Sequence, residues 1–128
     1  MIVVYIAGPF RGPDAWAIES NIREAETIGL EVARAGAIPF IPHTMYRYFQ
    51  GAAPDAFWLE ADLELLRRCD ALLLTPRWES SAGARAERRL AEEWGMPAAV
   101  YQPGGDMRRT LLELEAGVSG SVVRMGER

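Results

Sequence analysis

The chain contains no lysine: all fourteen of its basic residues are arginine. That absence excludes Schiff-base catalysis and the lysine of a phosphate-binding P-loop. Histidine and cysteine occur once each, as His43 and Cys69. A single cysteine closes no internal disulfide and fits a reducing compartment. A single histidine with no Cys/His cluster offers little to a metal, so neither metal nor cofactor is expected. No apolar run reaches membrane-spanning length and the N-terminus has no basic leader, so the expected location is cytoplasmic, with no membrane partner. A net charge of −4 without a concentrated basic face argues against a nucleic-acid polymer as partner. Any acid–base or nucleophilic chemistry therefore falls to carboxylates.

Elements alternate along the 128 residues. The run "IVVYIA" (2–7) is a short, β-branched strand of the kind covered on both faces. Ile18, Ile22, Ala25, Ile28 and Val32 recur at helical steps and predict a helix ending near Gly36. "AIPFIP" predicts a second strand, and residues 43–54 an aromatic-rich loop. A helix is expected from about Asp55 to Arg68, a strand at "ALLLT", a helix from Ala82 to Trp94 stopped by Gly95, and a strand at "PAAVYQ". Beyond Pro103, "MRRTLLELEAG" reads as a short helix and "SVVRM" as a terminal strand or loose tail. Alternation of this kind implies a parallel sheet with right-handed crossovers, whose ligands bind beyond the strands' carboxyl ends. "AGPFRG" and "TPRWESSAG" both follow strands, so the two loops should open on one crevice.

Two carboxylates stand where apolar residues belong. At 100° per residue, Gly83, Glu87, Leu90 and Trp94 share one stripe of their helix, and the arginines at 85, 88 and 89 lie opposite. On the preceding helix Asp62 falls inside the arc of Trp58, Leu59, Leu63, Leu65 and Leu66. Two readings are open. Each carboxylate is satisfied by arginine or backbone donors and does nothing chemical, or the two face a polar cleft. In the second case they are the usual equipment of glycosyl chemistry, where one attacks and one exchanges a proton.

The loops offer candidate contacts. Gly8 and Gly12 let the backbone approach a ligand, the amides of Phe10, Arg11 and Gly12 lie near an expected helix start, and Arg11 adds a forked cation. Ser81 and Gly83 open the third helix as a second anion site. Phe10, Trp78, Tyr46 and Tyr48 are candidates to stack on a planar base, although loop aromatics more often cover core. His43 could contact a ligand from the end of the second strand, but a single histidine more often reads as structural or incidental.

"YIAGPFRG", "LEADLELLRRCDALLLTP" and "SSAGARAERRLAEEWGMP", taken together and in this order, resemble the nucleoside 2-deoxyribosyltransferase-like superfamily. The similarity is greatest to its small nucleotide N-glycosidase branch, the 2′-deoxynucleoside 5′-phosphate N-hydrolase-like proteins, and to an uncharacterised bacterial and phage family within that group. The resemblance implies Glu87 as the nucleophile that attacks the anomeric carbon, Asp62 as the acid that assists departure of the base, and Tyr5 as the hydroxyl that orients the nucleophile. Gly8, Phe10, Arg11, Gly12, Trp78, Ser81 and Gly83 become substrate contacts. It also implies a homo-oligomer. Pro9, where the nucleotide hydrolases commonly carry serine, and Arg85, where smaller residues are common, depart from the pattern.

The expected fold is a single α/β domain over residues 1–128, a Rossmann/flavodoxin-like three-layer sandwich around a mostly parallel sheet. The expected function is cleavage or transfer of an N-glycosidic bond in a (deoxy)nucleoside or nucleoside 5′-monophosphate through a covalent glycosyl-Glu87 intermediate. The glutamate should stay ionised, helped by the helix start, and apolar neighbours should raise the pKa of the aspartate. The alternative is a nucleotide-binding sensor or interaction module on the same fold. A dehydrogenase is disfavoured because no GxGxxG follows the first strand.

Overall fold

The computed structural model describes residues 1–126, with side chains through residue 118. Strand β1 (Val3–Ala7) leads into helix α1 (Ala15–Arg34) and strand β2 (Ile38–Phe40). A five-residue helix, α2 (Pro42–Tyr46), and helix α3 (Asp55–Arg67) precede β3 (Ala71–Leu74). A 3-10 turn (Trp78–Ser80), helix α4 (Ala82–Trp94), strand β4 (Ala98–Val100) and helix α5 (Met107–Gly126) complete the described residues.

The four strands form one parallel sheet in the order β2-β1-β3-β4. β1 is central: Val3 pairs with Ile38 of β2 on one side, and Val4 to Ala7 pair with Ala71 to Leu74 of β3 on the other. β3 in turn pairs with β4 from Leu72↔Ala98 to Leu74↔Val100. Strand alternation sends Val4, Ile6, Ala71 and Leu73 to one face, where Ala25, Ile28 and Val32 of α1 and Leu111 and Leu114 of α5 complete an apolar cluster. Tyr5, Ala7, Leu72 and Leu74 turn to the other face, against Leu66 of α3 and Ala84 and Ala91 of α4. The result is an α/β three-layer sandwich of the Rossmann/flavodoxin kind. The stripe predicted for α1 is the face that packs; on α3 only Leu66 is fully buried, and on α4 the buried positions are Ala84, Glu87 and Ala91 in place of the predicted Gly83–Glu87–Leu90–Trp94 line.

Three local expectations are corrected. The segment taken as a loop from residue 43 begins inside α2, whose first residue is Pro42, a residue suited to the first helical position. α1 starts at Ala15, not directly after Gly12, because Asp14 caps it by accepting from the Ala17 amide at 2.8 Å. "SVVRM", expected as strand or tail, lies within α5. Among the described residues no helix is long and apolar enough to cross a membrane.

Candidate active site

The connection after β1 runs to β2 on one side and the connection after β3 runs to β4 on the other, so the loops after β1 and β3 diverge and leave a crevice. The crevice is a pocket of about 570 Å³, a volume suited to a small molecule. Its back is Tyr5 and the loop Gly8–Gly12; one wall is Tyr46 of α2 with Trp58 and Asp62 of α3; the other is Ser81, Gly83 and Glu87 at the start of α4. The two loops expected to share a crevice do so.

Glu87 points inward because it lies on the stripe Ala84–Glu87–Ala91, the buried face of α4. It is 8% exposed, and its Oε2 is buried without a partner. Burial pushes its pKa up to about 8, against the Tyr5 hydroxyl that donates to its carboxylate and with a further rise from the Asp62 charge. Burial likewise pushes Asp62 up to about 6, against the lowering influence of the Tyr46 hydroxyl. Tyr46 Oη and Asp62 Oδ1 face one another without a hydrogen bond of good geometry, and each is buried and unpartnered. Tyr5 is raised well above the ordinary phenol value, first by burial and then by the Glu87 and Asp62 charges. Two carboxyls and two phenols thus form one electrically coupled cluster.

Here the expectation for Glu87 is reversed. The sequence predicts an ionised Glu87 beside a raised Asp62; burial raises both. The reason is position. Glu87 lies in the second turn of a helix beginning at Ala82, and the favourable end of a helix dipole acts over the first turn. Burial against the sheet outweighs it. Asp62 is raised by burial, the direction its apolar neighbours predict.

The remaining candidates divide. Gly8, Phe10, Arg11, Gly12, Ser81 and Gly83 line the pocket. At Gly8 a Cβ would fall 2.1 Å from Thr75 Oγ1, so only glycine lets β1 and β3 close at this point. At Gly83 the nearest atom to such a Cβ is Ser81 Oγ at 3.8 Å, so the glycine leaves room that packing does not demand. Ser81 caps α4 by accepting from the Ala84 amide at 3.1 Å. Trp78 is a correction: it sits outside the pocket lining, in the 3-10 turn, half-buried against the Leu72–Leu74–Ala84 cluster. Chain proximity to a site loop did not place its ring on the ligand side. Tyr48, paired with Tyr46 as a stacking candidate, is 88% exposed and also outside the lining, whereas Tyr46 lies inside it, 4.8 Å from the Trp58 ring centroid.

His43 is buried and also lines the pocket: its Nε2–H donates to the carbonyls of Gly8 at 3.2 Å and Pro9 at 3.0 Å, and its Nδ1 is buried without a partner. Burial lowers its pKa and keeps the ring neutral. The sequence reading missed Asn21 and Arg77. Asn21 Nδ2 donates to the Phe10 and Arg11 carbonyls, both at 3.1 Å, while its Oδ1 accepts from Arg77 at 2.7 Å. One amide therefore ties the loop after β1 to the loop after β3. Its signal was present: Asn21 interrupts the apolar face of α1 beside Ile22, just as Asp62 and Glu87 interrupt theirs. Among the described residues no group of three or more His, Cys, Asp or Glu side chains is arranged to hold a metal ion.

Residues 2–101 match a family described as a domain of unknown function, DUF7768. The chain belongs to the DUF7768 family. Every pocket residue named above lies inside the span that matches DUF7768, and α5 lies beyond it, on the opposite face of the sheet. The DUF7768 match thus covers the whole candidate site. No curated protein matches the chain.

Proposed function

We propose that this protein cleaves or transfers the N-glycosidic bond of a (deoxy)nucleoside or nucleoside 5′-monophosphate, with Glu87 as nucleophile, Asp62 as acid–base partner and Tyr5 as the orienting hydroxyl. One observation carries the reading: two carboxyl groups on core-facing helix positions converge on one pocket of nucleoside size, coupled to each other and to Tyr5. A structural carboxylate normally has hydrogen-bond partners, whereas Glu87 and Asp62 each keep a buried oxygen without one.

In this mechanism a Glu87 oxygen forms a bond to the anomeric carbon as the carbon–nitrogen bond breaks. The bond's electron pair leaves with the base, which takes its proton from Asp62. Positive charge that builds on the sugar ring is met by the Glu87 carboxylate, and the result is a glycosyl ester. Water then attacks the same carbon, gives its proton to Asp62, and releases the sugar and the Glu87 carboxylate. A second base in place of water makes the reaction a transfer.

Burial disfavours the charge of both carboxyls, so the coupled pair retains a proton above the ordinary carboxylate range. The reactive form places that proton on Asp62, so the ligand must favour that arrangement; a sugar gaining positive charge beside Glu87 does so. The cost of charging Glu87 in its buried position also supports a second reading, a module that binds nucleotides without turning them over.

The deciding experiment is chromatography of free base after incubation with a panel of nucleosides and monophosphates. Glu87→Ala is expected to lower release by at least about 10³-fold while retaining binding. Acid-quenched wild type should carry the sugar mass on the peptide containing Glu87. Unchanged turnover in the variant removes the nucleophile, and binding without release of any base by the wild type selects the second reading.

A further inference from the structure

We propose that the physiological substrate is uncharged at the mouth of the pocket, a nucleoside instead of its 5′-monophosphate, and that Asp55 sets this preference. The proposal rests on the N-glycosidic reading and decides a point it leaves open.

Arg11 is the natural phosphate ligand at the tip of β1, and it is already engaged. Its guanidinium meets Asp55 Oδ1 at 2.7 Å, and both residues line the pocket. Arg11 comes from the loop after β1 and Asp55 is the first residue of α3, so the ion pair links that loop to α3 where the pocket meets solvent. The second arginine of the lining is similarly served. Arg77 donates to Asn21 Oδ1 at 2.7 Å and lies 3.5 Å from Glu24. The Asp14 carboxylate occupies the start of α1, and the Ser81 hydroxyl takes an amide at the start of α4.

The side chains of Arg11 and Asp55 are 66% and 65% exposed, so the strength of their pair is small. The selecting element is the charge of Asp55. A phosphate monoester brings about 1.5 to 2 negative charges at neutral pH. To reach Arg11 it must displace Asp55 and then remain beside that carboxylate, with Asp62 and Glu87 further in. A sugar hydroxyl meets no such repulsion. It donates to the remaining acceptor capacity of the Asp55 carboxylate and leaves the ion pair in place.

The test is calorimetric binding of matched 2′-deoxynucleosides and their 5′-monophosphates to wild type and to Asp55→Asn, which keeps the side chain's size and removes its charge. Base release from the same ligands is followed in parallel. Wild type is expected to bind the nucleoside more tightly. Asp55→Asn should shift the affinity ratio towards the monophosphate by about tenfold, the scale of one well-placed charge interaction. Adding Arg11→Ala to that variant should abolish the gain. A wild type that prefers the monophosphate, a ratio unmoved in Asp55→Asn, or a wild type that binds neither ligand overturns the proposal. Base release with an unmoved ratio rejects the role of Asp55 and leaves the reaction standing. A preference that follows Asp55 without base release rejects the reaction and leaves the ligand class standing.

Discussion

Along β1, Val4 and Ile6 turn towards α1 and α5, while Tyr5 and Ala7 turn towards α3 and α4. The first direction leads into a wholly apolar cluster that includes Leu73, Leu111 and Leu114. The second leads, through the Tyr5 hydroxyl, to Glu87 and the polar pocket. Adjacent residues of one strand thus serve opposite ends. One face gains stability from burial, and the other holds carboxyl groups in a setting that disfavours their charge. α3 shows the second regime clearly: Leu66 is its only fully buried residue, and Trp58, Leu59 and Asp62 border the pocket instead of dry core.

The difference can be broken most forcefully on the apolar side. Leu73→Ala should cost about 2–5 kcal/mol in urea unfolding, because a buried methyl-rich side chain is lost from a packed cluster. The pH profile of any activity should survive it. A milder destabilisation would show that the cluster collapses onto the gap.

On the pocket side the corresponding change has the opposite sign. Glu87 titrates near 8 in the folded protein against an ordinary value of 4.5. Below 4.5 the folded and unfolded chains both hold the proton. Between 4.5 and 8 the unfolded chain releases it first, so wild type loses stability as pH rises, and above 8 the loss is complete. Glu87→Gln should therefore match wild type near pH 4 and exceed it by several kcal/mol at pH 9 in parallel denaturant titrations. Equal stability at both pH values would mean that Glu87 is not held in a charge-disfavouring site.

The smallest expected effect sharpens the comparison within the pocket. The rate of base release should rise through about 6 as Asp62 and Glu87 come down to one shared proton, and fall beyond about 8 as that proton is lost. Since the Tyr46 hydroxyl lowers Asp62, Tyr46→Phe should move the acidic limb upwards and leave the alkaline limb nearly in place. A shift of the alkaline limb instead would reassign the two steps.

The sandwich was legible because each element carries its own periodicity: the unbroken run into Ala7, the steps from Ile18 to Val32, and the stop at Gly95, whose φ of 71° suits a left-handed helix end. The end of the chain was not legible, because Gly117 and Gly120 weaken the helical propensity of a segment that α5 nevertheless includes. Asp62 and Glu87 were found because a charge on an apolar arc is conspicuous. Asn21 gives a quieter version of the same signal, and amides satisfy themselves on many buried faces. Trp78 and Arg77 are neighbours in one loop, yet the ring packs into the core side and the guanidinium reaches the pocket. Only the path of the backbone separates them, and no pattern in the residues encodes that path. The raised pKa of Glu87 was not legible for a related reason: its burial depth is set by the sheet against which α4 lies.

The contact between Gly8 and Thr75 limits how this pocket can diversify. The Thr75 amide donates to the Ala7 carbonyl at 2.9 Å, and the missing side chain at position 8 lets the two strand ends seat against each other. A larger residue there would act as a wedge and splay the rear of the cavity. New ligand preferences are consequently easier to reach by exchanging residues on the opposite rim, such as Phe49 and Gln50, than by altering the hinge side from which the cavity hangs.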